Sequence, residues 1–104
     1  MVDHSQIQGV EIRELKVNAD DRGHLTEVFR EDWETYDEEL AMAYYSMTYP
    51  GTIRAWHRHL EGQNDHFVCP TGRIKVGIYD ERDDSPTKGE LNTFVIGEHD
   101  QKVI

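Results

Sequence analysis

The stretch GTIRAWHRH, at residues 51–59, places two histidines, His57 and His59, two positions apart after a Pro-Gly turn signal. In an extended strand, residues i and i+2 point to the same face and lie about 6.5 to 7 Å apart. Both histidines therefore share one predicted face with Ile53 and Ala55, and we expect both imidazoles to point into the interior of a barrel. Neutral imidazoles so placed can bind a metal ion, or one of them can act as a general base near neutral pH. The alternative is a pair of edge histidines that face solvent.

Short strands separated by turns are predicted along almost the whole chain. They cover residues 10–12, 15–17, 24–29, 41–49, 52–59, 65–69, 73–80 and 91–96, and a further strand starts at 102–104. Residues 30–40 are acidic and weakly periodic, and they fit either a short helix or an ordered loop. Strands at this spacing, divided by Gly and Pro turns, predict an all-β fold of the β-sandwich or jelly-roll kind.

The last predicted strand bears on whether this fold is complete. A jelly roll needs about eight strands to close its edges. With residues 10–12 and 15–17 joined by a bulge or a bend, the count here is about seven, with the last strand cut short. The sequence stops on Val103 and Ile104, in the middle of an apolar alternation. We therefore expect a β-sandwich that is incomplete at its C-terminal end, and the alternative is that a partner chain supplies the closing strand.

The composition allows one domain and narrows its partners. The chain has 104 residues, 37% of them hydrophobic and 31% charged, so its core is small and favours help from a partner subunit. A net charge of −10 repels nucleic-acid phosphates and anionic lipids, and we expect neither nucleic acid nor membrane as a partner.

The single cysteine, Cys69, excludes an intrachain disulfide and fits a reducing compartment. With no signal-peptide pattern and no apolar run of membrane-spanning length, the expected location is the cytoplasm.

Four ordered segments carry a more specific pattern. Residues 21–29 read DRGHLTEVF, residues 51–57 read GTIRAWH, residues 63–72 read QNDHFVCPTG, and residues 79–89 read YDERDDSPTKG. In this order they resemble the D-x-R-G-x-F-x-E-x-F, G-V-L-R-G-L-H, Q-x-K-L-V-x-V-x-x-G and V-D-x-R-x-x-S-P-T-F-G segments of the dTDP-4-dehydrorhamnose 3,5-epimerase family. The two histidines after the Gly turn also resemble the start of the first cupin motif. The resemblance implies a single cupin domain, a jelly-roll β-sandwich, over residues 1–104.

The resemblance also implies an activity, that of a homodimeric isomerase which epimerises a 4-keto-6-deoxy sugar on a dTDP carrier, with no cofactor and no metal. His57 corresponds to the base that removes a proton α to the ketone, and the resulting enolate is reprotonated on its opposite face. Arg22 corresponds to the arginine that binds the nucleotide pyrophosphate, Glu27 to its acidic partner, and Arg54 to the arginine before the catalytic histidine. The expected substrate-binding residues are Arg22, Glu27, Arg54, His59 and Gln63.

Two of these residues carry an expectation about their surroundings. Glu27 shares its predicted face with Leu25 and Phe29, where a carboxylate needs a partner because its desolvation costs several kcal/mol. Arg54 lies three residues before His57, so strict alternation puts the two side chains on opposite faces. Arg54 therefore joins the site only if the strand bends.

The sequence also departs from the family pattern. Asp65 stands where the family has a lysine that helps to stabilise the enolate, and a carboxylate there repels a developing oxyanion. His59 stands where the family has a glutamine. Three alternatives stay open: a sugar 3,4-ketoisomerase, whose family also carries an H-x-H pair, a non-catalytic sugar- or nucleotide-binding cupin, and a metal-binding cupin. The metal-binding alternative would use His57, His59, Gln63 and His66.

Overall fold

Every regular element in the described part of the chain is a β-strand. The structure, a computed structural model, describes residues 2–4, 6–33, 39–60 and 62–104. Its strands are β1 (Val2–His4), β2 (Glu11–Glu14), β3 (Val17–Asp20), β4 (Gly23–Thr26), β5 (Arg73–Tyr79), β6 (Leu91–Gly97) and β7 (Lys102–Val103). Within these ranges no helix is long and apolar enough to cross a membrane. The prediction of an all-β fold is confirmed.

The described strands form three antiparallel sheets. β2 lies between β1 and β7 in one sheet, β3 pairs with β4 in a second, and β5 pairs with β6 in a third. Asp20 lies opposite Gly23, so the two residues between them turn the chain from β3 to β4, as the Asp-Asp-Arg-Gly turn signal indicates. β5 and β6 form the longest ladder, which begins with Arg73 opposite Gly97.

The core lies where the β5–β6 ladder meets the last residues of the chain. Ile96 is fully buried and packs with Cys69 and Ile104. Partly buried residues around these three are Val10, Ile12, Ile74, Val76, Ile78 and Phe94. The burial along β5 alternates, which confirms the predicted two-residue period of that strand. Since burying one isoleucine contributes about 1.5–3 kcal/mol, a core of this size leaves little stability in reserve.

A hydrogen-bonded loop joins β5 to β6. The side chain of Asp80 is 1% exposed, and its carboxylate accepts hydrogen bonds from Arg82 Nε (2.9 Å), Ser85 Oγ (2.5 Å) and Thr87 Oγ1 (2.7 Å). These hydrogen bonds hold the pKa of the Asp80 carboxyl well below its usual range, and the one from Arg82 has the largest effect. Arg82 also donates through Nη2 to the carbonyl oxygen of Gln8 at 2.9 Å. The fourth family segment therefore shapes this loop and fastens the N-terminal part of the chain to it.

Three predicted strands are absent. Residues 41–49, 52–59 and 65–69 form no strand in the structure. A strand needs a neighbouring strand to which its backbone can hydrogen-bond. Among the described residues of these three ranges, only Phe67 exchanges backbone hydrogen bonds with a residue distant in sequence, Ile104 (2.9 and 3.1 Å). Apolar alternation without a neighbouring strand leaves the side chains in solvent, as for Tyr45 (96% exposed) and Ile53 (84% exposed).

Smaller differences occur in the first half of the chain. β4 ends at Thr26, so the strand predicted over 24–29 is shorter, and β1 was not predicted. The described beginning of the acidic stretch forms a turn in which Trp33 N donates to Arg30 O at 3.1 Å. The guanidinium of Arg13 stacks on the Trp33 ring, 4.3 Å from its centroid. Residues 34–38 lie outside the described residues.

Candidate active site

Two contacts hold the His57 segment against β5 and the loop after it. Trp56 lies over Gly77 of β5, where an added Cβ would be 3.5 Å from Cη2 of the indole. On the other side of His57, Arg58 Nε lies 2.7 Å from Glu81 Oε1. The indole lies at an ordinary van der Waals distance that leaves room for a methyl group at Gly77, and the Arg58–Glu81 pair is an exposed ion pair that contributes little. His57 lies between these two contacts.

The rings of both predicted site histidines are exposed. The prediction that His57 and His59 point into a closed interior is wrong for the described structure, because residues 52–59 form no strand and stay exposed. His57 makes no hydrogen bond to any described residue. Both of its ring nitrogens are therefore available to a ligand.

A polar cluster surrounds His59. Its Nε2 lies 2.9 Å from Asp65 Oδ2, and Gln63 Nε2 donates to Asp65 Oδ1 at 2.7 Å. Since an ionised carboxylate can only accept, the hydrogen-bond pattern assigns a hydrogen to Nε2 of His59. The Nε2 atoms of Gln63 and His59 lie 3.4 Å apart because both donate to the same carboxylate, and they do not hydrogen-bond to each other. We call His59, Gln63 and Asp65 the His59 cluster.

The histidines do not form a metal site in the described part of the chain. No group of three or more His, Cys, Asp or Glu side chains there could hold a metal ion. Two members of the alternative ligand set, His59 and Gln63, are bonded to Asp65. The other two, His57 and His66, do not join His59 in such a group.

The predicted pairing of Arg22 with Glu27 does not form. Arg22 Nη2 lies 2.7 Å from Asp20 Oδ2 across the β3–β4 turn, and this hydrogen bond lowers the pKa of the Asp20 carboxyl. Glu27 pairs instead with Arg30, at 3.3 Å. The expected desolvation of Glu27 is also absent, because its side chain is half exposed and water solvates the carboxylate. Arg22 is 87% exposed, which leaves its other N–H groups in solvent.

Arg54 stabilises the turn that precedes the histidines. Its Nε donates to Thr48 Oγ1 at 3.0 Å, and its Nη2 donates to the carbonyl oxygen of Met47 at 2.7 Å. The turn itself is closed by Thr52 N, which donates to Tyr49 O at 3.1 Å. Arg54 therefore binds its own turn in this structure, and its contact with a substrate stays a prediction.

The role of Asp65 in the structure differs from the role that the sequence pattern predicts. Taken alone, at the position of the family's lysine, it is a repulsive charge. In the structure it is the hydrogen-bond partner of both His59 and Gln63. The available signal was that the two departures from the family pattern, His59 and Asp65, occur together on either side of a short loop containing Gly62.

The sequence matches known proteins along nearly its whole length. The family model described as dTDP-4-dehydrorhamnose 3,5-epimerase matches residues 4–104. A Haloferax volcanii protein named "Probable low-salt glycan biosynthesis epimerase Agl13" is 72% identical over 98 residues, which cover 94% of this chain and 63% of that protein. The "Spore coat polysaccharide biosynthesis protein SpsL" of Bacillus subtilis is 44% identical over 92 residues, which cover 88% of this chain and 60% of that protein.

The chain thus spans less than two thirds of the length of either relative. No solved structure matches it. The all-β structure agrees with the cupin fold that the four segments imply. Because the family model covers the sequence from residue 4 to residue 104, the chain belongs to the dTDP-4-dehydrorhamnose 3,5-epimerase family.

Proposed function

We propose that the protein is a nucleotide-sugar epimerase in which His57 is the catalytic base. The observation that carries the proposal is the family match over residues 4–104. The relatives support it, because Agl13 is named a probable epimerase of glycan biosynthesis and SpsL a protein of polysaccharide biosynthesis. The proposed substrate is a 4-keto-6-deoxy sugar, with dTDP as the carrier.

The reaction needs a base beside an acidified C–H bond. A ketone at C4 acidifies the C–H bonds at C3 and C5, because the electron pair left behind spreads onto the ketone oxygen. A ring nitrogen of His57 takes the proton, an enolate forms, and the carbon receives a proton on its opposite face. Imidazole suits this task because it exchanges protons near neutral pH. The absence of a hydrogen-bond partner for His57 among the described residues supports the role, since the ring is not committed elsewhere.

Arg22 is the proposed contact for the nucleotide pyrophosphate. On a chain with a net charge of −10, an anionic ligand needs a local cation. One N–H group of Arg22 pairs with Asp20, and the exposed remainder of the guanidinium has donors for phosphate oxygens. Arginine suits phosphate because its planar group can donate two parallel hydrogen bonds.

We also propose that the protein acts as a homodimer in the cytoplasm. Aromatic and apolar side chains between residues 40 and 60 are exposed in the single chain, and they offer the kind of surface that a second copy would bury. Light scattering tests the proposed dimer directly. We expect a molar mass of about twice the 12.2 kDa of one chain, and a monomer at micromolar concentration would contradict it.

Deuterium exchange tests the catalytic proposal. The protein is incubated in D2O with a dTDP-4-keto-6-deoxyhexose, and the sugar is followed by 1H NMR and mass spectrometry. We expect deuterium at C3 and C5 with the wild type, none above background with His57→Ala, and wild-type exchange with His99→Ala, a control histidine in the turn after β6. Binding of the sugar nucleotide without exchange would contradict the proposal and favour a non-catalytic binding protein. A ketone that moves from C4 to C3 would identify a ketoisomerase instead.

A further inference from the structure

The His59 cluster differs from a second histidine–carboxylate pair on the same molecule. His59 Nε2 lies 2.9 Å from Asp65 Oδ2, and these side chains are 39% and 33% exposed. His99 lies 3.5 Å from Glu98 and is 95% exposed, which is typical of a surface pair that contributes little. In the His59 cluster, Gln63 also binds the second carboxylate oxygen, so both oxygens of Asp65 are held. The His59 ring is therefore oriented by its neighbours.

The cluster determines which nitrogen of His59 can meet a ligand. Because Asp65 accepts the hydrogen on Nε2, Nδ1 is the remaining ring nitrogen. In the protonated ring, Nδ1–H is a donor, and the charges of the ring and the carboxylate cancel. This pairing removes the repulsion that the Asp65 carboxylate alone would exert on a developing oxyanion.

We propose that His59, positioned by Asp65 and Gln63, is a second catalytic residue whose Nδ1–H donates a hydrogen bond to the enolate oxygen of the substrate. The inference rests on the proposed function, and it gives His59 the task that the resemblance assigns to a lysine at position 65. When His57 takes the proton, the C–H electron pair forms the carbon–carbon double bond of the enolate. The former carbonyl oxygen gains the negative charge and accepts the hydrogen bond from protonated His59. The carbon then takes a proton from solvent on its opposite face, the carbonyl is restored, and His57 releases its proton to solvent, so no oxidant or further reactant takes part.

His59→Gln tests the donor. Glutamine can still hydrogen-bond to Asp65, but it carries no positive charge. We expect kcat for deuterium exchange to fall about 100-fold, the usual effect of removing one oxyanion donor, with KM for the dTDP-linked sugar unchanged. His99→Gln is the matched control and should keep the wild-type kcat. A His59→Gln protein with wild-type kcat overturns the proposal.

Asp65→Ala tests the positioning role. We expect kcat to fall about tenfold, as for loss of a group that orients a functional histidine. The spectroscopic signature is the 1H–15N NMR of the His59 ring, in which the Nε2–H hydrogen should exchange slowly with water in the wild type, because it is bonded to Asp65, and rapidly in Asp65→Ala. Equal exchange of this hydrogen in the two proteins overturns the positioning role.

A double variant, His59→Gln with Asp65→Lys, carries the residues of the family pattern at both positions. If the His59 cluster performs the task of the lysine, kcat of this double variant should be at least tenfold higher than kcat of His59→Gln alone. A double variant no more active than His59→Gln counts against the replacement. If His59→Gln does not fold by circular dichroism, kcat of Asp65→Ala decides, and a wild-type kcat in that variant overturns the proposal.

These outcomes separate the two proposals. A wild type that exchanges, with His57→Ala inactive and His59→Gln fully active, overturns the role of His59 and leaves the epimerase proposal intact. A wild type that binds the sugar nucleotide and does not exchange overturns both.

Discussion

Gly97, at the end of β6, is packed against the backbone of the opposite strand, and replacing it with alanine should destabilise the fold. An added Cβ would collide with the carbonyl oxygen of Gly72 and lie 2.9 Å from Cα and 3.2 Å from Cβ of Arg73. Gly97 is buried and does not have a positive φ, so the collision alone would cause the effect. Backbone atoms cannot rotate aside as a side chain does, so β5 and β6 would have to separate.

The expected cost is that of overpacking, about 1–3 kcal/mol. For a domain of this size, each kcal/mol lowers Tm by roughly 4–8 °C, so thermal unfolding followed by circular dichroism resolves the effect. Gly77→Ala is the matched control in β5, because its Cβ would meet only the Trp56 indole, at an ordinary 3.5 Å. At a backbone conformation that alanine can adopt, that change should be neutral or stabilise by about 0.4–1 kcal/mol. A Gly97→Ala protein that melts with or above the wild type would refute the proposed packing.

Three further predictions test the fold and its connection to the site. Hydrogen bonds, from Arg82 above all, hold the pKa of Asp80 below its usual range, so its contribution to stability is present above about pH 4, where an unfolded aspartate is ionised, and is lost at lower pH. Asp80→Asn should lower the urea midpoint at pH 7 and flatten the loss of stability below about pH 4, and a wild-type pH profile would contradict this. Ile96→Ala should lower the free energy of unfolding by about 2–5 kcal/mol, because the side chain is fully buried, and a urea titration showing less than about 1 kcal/mol would contradict the assigned core. Gly77→Val should push the Trp56 indole off β5, changing its fluorescence and reducing deuterium exchange in a folded protein, and unchanged fluorescence and exchange would show that this contact does not position the site.

The sequence predicts most of the strands that pair with each other inside the described chain, although it does not predict β1, which pairs with β2. β5 and β6 are each marked by local apolar alternation, and each supplies the other's hydrogen bonds. The same alternation over residues 41–49 and 52–59 predicted strands that the structure lacks. Alternation records which side chains a strand would bury, but it does not supply the neighbouring strand that buries them.

The candidate site shows the same division between local and distant information. The proposed role of His57 follows from its place in a local motif. The pairing of His59 with Asp65 does not, because it depends on how the loop between them folds back. Arg54 and Glu27 were likewise judged by strand alternation, and each found a partner in its own neighbourhood instead.

The central claim is that His57 removes a carbon-bound proton from a keto sugar. Its most direct measurement is the decay of the C5–H signal of a dTDP-4-keto-6-deoxyhexose in D2O, recorded side by side with wild type and His57→Ala. We predict that the signal decays with enzyme turnover in the wild type and persists in the variant. Decay at the same rate in both proteins, or persistence in both despite saturating binding, would contradict the claim.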